Sequence, residues 1–255
     1  MSRGRLQDRV AIITGGARGI GKAIAFKMVK EGASVMLLDL LADELAQVID
    51  ELKALEGNAY SMTSDVSDRS AVDDVVSLTL KKLGTVDILV NNAGISLADS
   101  LEEIKEEDWD TLVKINLKGS FFCVQSVIPT MKDNGYGKII NISSRASLGK
   151  LSRTVYSATK AGLIGMTRSM ALELARYGVN VNCVAPGPIA TELFNSVNPE
   201  GSEKTKAIID AIPLKRIGRP EDVANLVAFL ASDEASFITG QTIFICGGLT
   251  VGMAH

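Results

Sequence analysis

Seven short apolar runs punctuate the chain: VAIITG (10–15), SVMLLD (34–39), AYSMTSD (59–65), VDILVNNAG (86–94), GKIINIS (137–143), VNVNCVAPG (179–187) and TIFICGG (242–248). Runs this short and this continuously apolar predict strands buried on both faces. Between them, residues 20–31, 42–55, 68–83, 106–132, 154–177 and 220–231 read as helices. Apolar strands alternating with crossover helices predict a parallel sheet with helices on both faces. This is the doubly wound, Rossmann-type α/β pattern, here with seven strands in a single domain over 1–255. One stretch breaks the alternation. Residues 191–220 hold three of the six prolines and five Lys/Arg residues. They predict an irregular substrate loop or lid at about 190–218.

Composition narrows the chemistry. Apolar residues make up 46% and charged residues 22%, with a net charge of −3. That balance offers no electrostatic footprint for nucleic acid, and no run is long enough to span a bilayer. The stretch MSRGRLQDRV lacks an apolar signal core, so a cytoplasmic location is expected. Cys123, Cys183 and Cys246 are widely spaced and odd in number, which suits buried thiols rather than a disulfide framework or a zinc site. The single histidine is His255. A histidine-ligated metal and a Ser-His-Asp triad are therefore not expected, and no metal site is assigned.

The segment TGGARGIGKAIA (14–25) joins the first strand to the first helix. Phosphate needs backbone approach without a Cβ in the way, and it gains from the amides that open a helix. Gly15 permits the tight turn, Gly19 the close approach and Gly21 the packing of helix on strand. Asp39 ends the second strand, 18 residues past Gly21, where a dinucleotide-binding domain places an acid for ribose hydroxyls. A carboxylate there repels a 2′-phosphate, so NAD (NADH) is expected over NADP. Arg18 stays open between meeting a 2′-phosphate and standing in solvent. Asp65-Val66 and Asn91-Asn92-Ala93-Gly94 follow the third and fourth strands and border the same cleft.

The ordered motifs T14-G-G-A-R-G-I-G21, D65-V66, N91-N-A-G94, N116, I142-S-S144, Y156-S-A-T-K160 and P186-G-P-I-A-T191 resemble the short-chain dehydrogenase/reductase family over nearly the whole chain. The resemblance implies hydride transfer between a nicotinamide cofactor and an alcohol or ketone. Tyr156 becomes the acid/base, with Lys160 at i+4 favouring its tyrosinate and binding the nicotinamide ribose. Ser144 orients the substrate oxygen, with Ser143 as the rival, and Asn116 completes the set by holding a water that leads to Lys160. The cofactor would lie along Gly15, Arg18, Gly19, Ile20, Gly21, Asp39, Asp65, Val66, Asn92, Ala93 and Gly94. It would continue to Tyr156, Lys160, Pro186, Gly187, the backbone of Ile189 and the hydroxyl of Thr191. Ser96, Ser144, Leu148, Arg153, Tyr156, Leu193 and Phe194, with Leu151 and Ile189, would wall a mainly apolar substrate site. The family's habit implies a homotetramer, with the helix beginning near Asp108 and the helix carrying Tyr156 packed against their copies. A secondary alcohol and its ketone are the expected small-molecule pair. The alternative is a 3-oxoacyl-[acyl-carrier-protein] reductase using NADPH, and a remote one is a non-catalytic cofactor-binding protein.

Overall fold

The computed structural model describes residues 4–252, which leaves His255 outside the described residues. Seven strands form one parallel sheet: β1 (Val10–Thr14), β2 (Ser34–Asp39), β3 (Ala59–Thr63), β4 (Ile88–Asn91), β5 (Gly137–Ile142), β6 (Val179–Pro186) and β7 (Thr242–Ile245). Their order is β3-β2-β1-β4-β5-β6-β7. The order reverses between β1 and β4, and there a doubly wound sheet opens a crevice at its carboxyl edge. Every residue of β1, β4 and β5 is buried. A strand buried on both faces has no reason to alternate, and this is why the runs read as continuous.

Two apolar layers cover the sheet. On one face lie α1 (Gly19–Lys30), α2 (Ala42–Ala54) and α9 (Pro220–Leu230), which bury Ile24, Met28, Leu45, Leu52, Val223 and Val227. On the other lie α3 (Arg69–Leu83), α5 (Ser120–Asn134) and α6 (Thr154–Leu174), which bury Val72, Val75, Val124, Val127, Ala171 and Leu174. Local signals set the boundaries. Asp68 caps α3 by accepting from the amides of Ser70 and Ala71, and Gly84 ends it at φ +81°. Pro220 opens α9, where its missing N–H costs nothing.

The structure departs from the sequence expectation in three places. The stretch 191–220 is not irregular: it contains α7 (Glu192–Val197) and α8 (Glu203–Ala211), capped by the side chains of Thr191 and Ser202. The expected helix 106–132 is α4 (Glu106–Val113) and α5 joined by a π-helical turn at Lys114–Gly119. β3 stops at Thr63, so Asp65 and Val66 lie in the turn beyond it.

Candidate active site

Because all strands run parallel, Thr14, Asp39, Asn91, Ile142 and Pro186 all end on one edge of the sheet. Gly15 and Gly19 adopt φ +66° and +57°, a left-handed backbone that favours glycine. A Cβ on Gly21 would sit 1.9 Å from the Gly15 carbonyl oxygen, so helix and strand approach only without it. Arg18 is the N-cap of α1 and supplies no side-chain cap, which leaves the first amides of the helix facing the cleft. Asn92 holds the turn from across the switch point. Its Nδ2 donates to the carbonyls of Thr14 and Gly15, both at 3.0 Å. The amides of Asn92 and Ala93 donate in turn to the Thr14 hydroxyl, both at 2.9 Å. The Asp39 carboxylate is fixed beside the turn by three amides: Ala17 at 3.0 Å, Leu40 at 2.8 Å and Leu41 at 3.2 Å. Arg18 is exposed. Asp65 accepts from the Ser67 amide at 2.8 Å, and Val66 packs against Gly119 at the end of the π turn. Thr191 lies over the glycine turn: its methyl would be 3.3 Å from a Cβ on Gly19. An uncapped helix start, a cradle without side chains and an anchored acid fit a dinucleotide.

The second half of the edge is built by β5 and α6. The two serines divide. Ser143 is buried and donates to the Lys160 carbonyl at 2.7 Å, so it ties strand to helix. Ser144 accepts from the Ala146 amide at 3.1 Å and lies on the side of the Tyr156 hydroxyl. Burial pushes the Tyr156 hydroxyl above the ordinary tyrosine range, while the Ser144 hydroxyl and the Arg153 charge pull it back. Lys160 was expected to supply that pull. It is instead fully desolvated, which brings it down to about 8, and its Nζ donates to the Ile142 carbonyl at 2.8 Å. Its ammonium stands 5.8 Å from the centre of the Tyr156 ring. Asn116 sits in the π turn with no exposed surface. Its amide group clamps Ile95, donating to the carbonyl at 2.9 Å and accepting from the amide at 2.8 Å, and it donates to the Thr159 hydroxyl at 3.2 Å. A Cβ on Gly94 would fall 3.0 Å from Asn116 Oδ1 and 3.4 Å from Lys160 Nζ, so that glycine keeps a passage open between them.

A family profile described as enoyl-(acyl carrier protein) reductase matches residues 15–250. The chain belongs to the short-chain dehydrogenase/reductase family. It is 42% identical over 243 residues to the (2S)-[(R)-hydroxy(phenyl)methyl]succinyl-CoA dehydrogenase subunit BbsD of Thauera aromatica, covering 95% of this chain and 97% of the relative. It is 43% identical over 248 residues to the 3-oxoacyl-[acyl-carrier-protein] reductase FabG of Thermotoga maritima, covering 97% and 100%. Among solved structures, levodione reductase superposes with a TM-score of 0.92 at 33% identity, covering 97% of this chain and all of that one. Membership makes the protein an oxidoreductase that acts on CH–OH groups with a nicotinamide cofactor.

In this short-chain dehydrogenase/reductase the residues expected to wall a substrate are spread over several segments. A narrow cleft beside Tyr156 includes Arg153, with Leu97, Ile104 and Leu112 as apolar walls and Asp99 and Asp108 as acidic ones. They come from the loop after β4 and from α4, segments without a periodic signal that ties them to the site. Leu148 and Leu151 stand out in solvent, 63% and 93% exposed. The Ile189 side chain points away and packs into the core with α9, because Ile189 pairs with Gly218 as an isolated bridge. Phe194 is half-buried on α7, where its amide donates to the Thr191 cap at 3.2 Å. The Leu193 side chain lies outside what is described, and Ser96 is exposed in the loop beyond Gly94. Pro186 ends β6, and Gly187 continues its ladder by donating to the Ile245 carbonyl at 3.0 Å. Thr159, between Tyr156 and Lys160, is a site residue the motif spacing did not single out. Its hydroxyl bridges the Tyr156 carbonyl, at 2.9 Å, and Asn116.

Proposed function

We propose that the protein interconverts a secondary alcohol and its ketone using NAD(H), with Tyr156 as the acid/base. The observation that carries this reading is the placing of Ser144 and Tyr156 together at the carboxyl edge of the sheet, one helical turn from the buried Lys160. In the reducing direction Ser144 holds the ketone oxygen and Tyr156 gives it a proton; in the oxidising direction Tyr156 takes the alcohol proton. The bound nicotinamide supplies or accepts the hydride. Tyr156 needs its pKa lowered for the oxidising direction, and Ser144 and Arg153 both act in that sense. Lys160 would hold the nicotinamide ribose, exchanging its bond to Ile142 for the ribose hydroxyls. The Asn116 clamp keeps Ile95 and Gly94 off that path.

Asp39 supports NAD(H). Its carboxylate is immobilised by three amides, and Leu40 beside it is exposed and uncharged, so a 2′-phosphate would meet a fixed negative charge without a partner. The Thauera relative's name spells a hydroxy(phenyl)methyl group, a secondary alcohol on an aryl body. The second reading is reduction of 3-oxoacyl groups on a carrier protein with NADPH, favoured by the Thermotoga relative and by the exposed Arg18. One experiment separates them. Reduction of aryl and alkyl ketones is followed with NADH and with NADPH, beside an acetoacetyl thioester on its carrier protein. We expect kcat/KM with NADH to exceed that with NADPH by roughly tenfold or more, about 1.4 kcal/mol. Asp39→Ala with Leu40→Arg should narrow or reverse that ratio. Preference for NADPH together with far faster turnover of the carrier thioester selects the second reading.

We further propose a homotetramer acting in the cytoplasm. Trp109 on α4, Phe121 on α5 and Leu172 on α6 leave large apolar side chains exposed on the helices expected to meet their copies. Among the described residues no helix is long and apolar enough to cross a membrane.

A further inference from the structure

The segment between Ser144 and Tyr156 carries three cations, Arg145, Lys150 and Arg153, and α8 adds Lys204 from the lid. None of the four has a carboxylate within 4 Å among the described residues. A minority of the cations elsewhere are paired. Arg216, on the other side of the lid, is bidentate with Asp222 at 2.6 and 3.2 Å, and Lys22, Lys27 and Arg69 each have an acidic partner. Asp99 and Asp108 line the cleft that Arg153 borders, yet neither approaches it as an ion pair. Lys204 instead rests its Nζ on the Val197 carbonyl at 3.2 Å.

Three of the four act on the remaining one. Lys150 is held below the ordinary lysine range by burial and then by the charges of Arg153, Arg145 and Lys204. Solvated surface cations spread apart to relieve such repulsion. The segment that bears three of the four turns sharply: Gly149 sits at φ +101° and Ser152 at φ +56°, the latter a conformation that disfavours a side chain. Ser152 immediately precedes Arg153, which is both the N-cap of α6 and a wall of the Tyr156 cleft. A strained turn that carries like charges beside the reacting groups suits the binding of an anion.

Resting on the alcohol–ketone reading above, we propose that Arg145, Lys150, Arg153 and Lys204 dock a carboxylate carried on the substrate close to its reacting carbonyl. Position favours a carboxylate on the acyl body over the phosphates of a carrier. Arg145 adjoins Ser144 and Arg153 lies three residues before Tyr156, whereas carrier phosphates sit at the far end of a pantetheine arm.

The test pairs two ketones of one skeleton, 3-benzoylpropionate and its methyl ester, each reduced with NADH. We expect kcat/KM to favour the acid by roughly tenfold to a hundredfold, the range of a charge-assisted contact. In Arg145→Gln and Arg153→Gln that ratio should collapse toward one, carried by KM for the acid, and Arg153→Lys should restore part of it. Equal use of acid and ester, or a ratio the substitutions leave in place, overturns the proposal. A second pair, acetoacetyl-CoA and acetoacetyl-N-acetylcysteamine, reads the other source. If the substitutions erase a preference for the coenzyme thioester and leave the acid-to-ester ratio unmoved, the anion is the carrier's phosphate and the carboxylate assignment is wrong. Turnover of no ketone and no thioester by the unaltered protein removes the alcohol–ketone reading instead. Calorimetric titration of the NADH complex with acid and ester then decides the docking site directly. Binding of the acid alone, lost in the two glutamine variants, upholds it, and no selective binding ends it.

Discussion

The two edges of the sheet treat charge in opposite ways. At the amino edge, Arg9 reaches Asp233 at 3.3 Å and Asp87 at 3.9 Å and lies 3.7 Å over the Tyr136 ring. The Tyr136 hydroxyl donates to Asp233 at 3.1 Å, Lys138 bonds Asn180 at 2.7 Å, and Asp87 accepts from the Val10 amide at 2.9 Å. Each polar group there has a partner from another strand or turn. At the carboxyl edge, Lys160 is equally buried and has only a carbonyl, while Arg153 in the Tyr156 cleft has no acid within 4 Å among the described residues. Paired charge holds elements in place; charge left unpaired at a cleft costs stability until something arrives to share it. The contrast separates the structural end of the molecule from the working end without reference to any motif.

Tyr156→Phe tests the working end most severely. The fold should survive, because among the described residues the hydroxyl anchors no other element, while kcat falls by roughly 10²-fold or more, as expected for loss of a general acid/base. Near-normal turnover in a correctly folded variant would remove Tyr156 from the chemistry.

Lys160→Met should separate stability from activity. Its folded pKa, about 8, lies below the ordinary value of 10.5. Between those values the unfolded chain binds more protons, so native stability rises with pH through that window. Below pH 8 the buried charge costs its full amount, at most about 3 kcal/mol from the shift. Losing the bond to Ile142 takes back about 1 kcal/mol. The free variant should therefore unfold about 2 kcal/mol less readily at pH 7, with the gain gone above pH 10.5, while catalysis suffers. A variant less stable than its parent at pH 7 would mean that Lys160 is a structural cation after all.

Arg9→Ala probes the other edge and should do the reverse. We expect a loss of about 2 kcal/mol, from the pairings to Asp87 and Asp233 and the uncovered Tyr136 ring, measured by denaturant unfolding. kcat should hold. A fall in kcat without a fall in stability would show that the two edges are coupled.

Much of this division is legible in the sequence. The strands announce themselves because burial on both faces forces continuous apolar runs, and the Tyr156–Lys160 and glycine spacings place the site on one edge. α7 and α8 were not legible: at six and nine residues they show too little periodicity, and their caps, Thr191 and Ser202, read equally well as loop residues. The π turn is invisible to a periodicity of 3.6, since one extra residue only shifts the phase. Arg153 was legible as a charge near the site but not as the charge that acts on Tyr156. That depends on how α6 begins, which Ser152 decides through its backbone.

The π turn has a consequence for how the chain tolerates editing. A wide turn of this kind amounts to one surplus residue looped into a helix. Removing a residue from within an ordinary helix rotates everything beyond it by about 100° and drags a buried face into water. Removing one between Lys114 and Gly119 would instead let the backbone relax to an even coil, with α4 and α5 still facing as they do now. The fold can lose a residue here, but the clamp on Ile95 cannot, because Asn116 would swing off its two backbone partners. A deletion of Leu117 that folds normally yet binds cofactor poorly would mark this turn as length kept in the chain for the cleft alone.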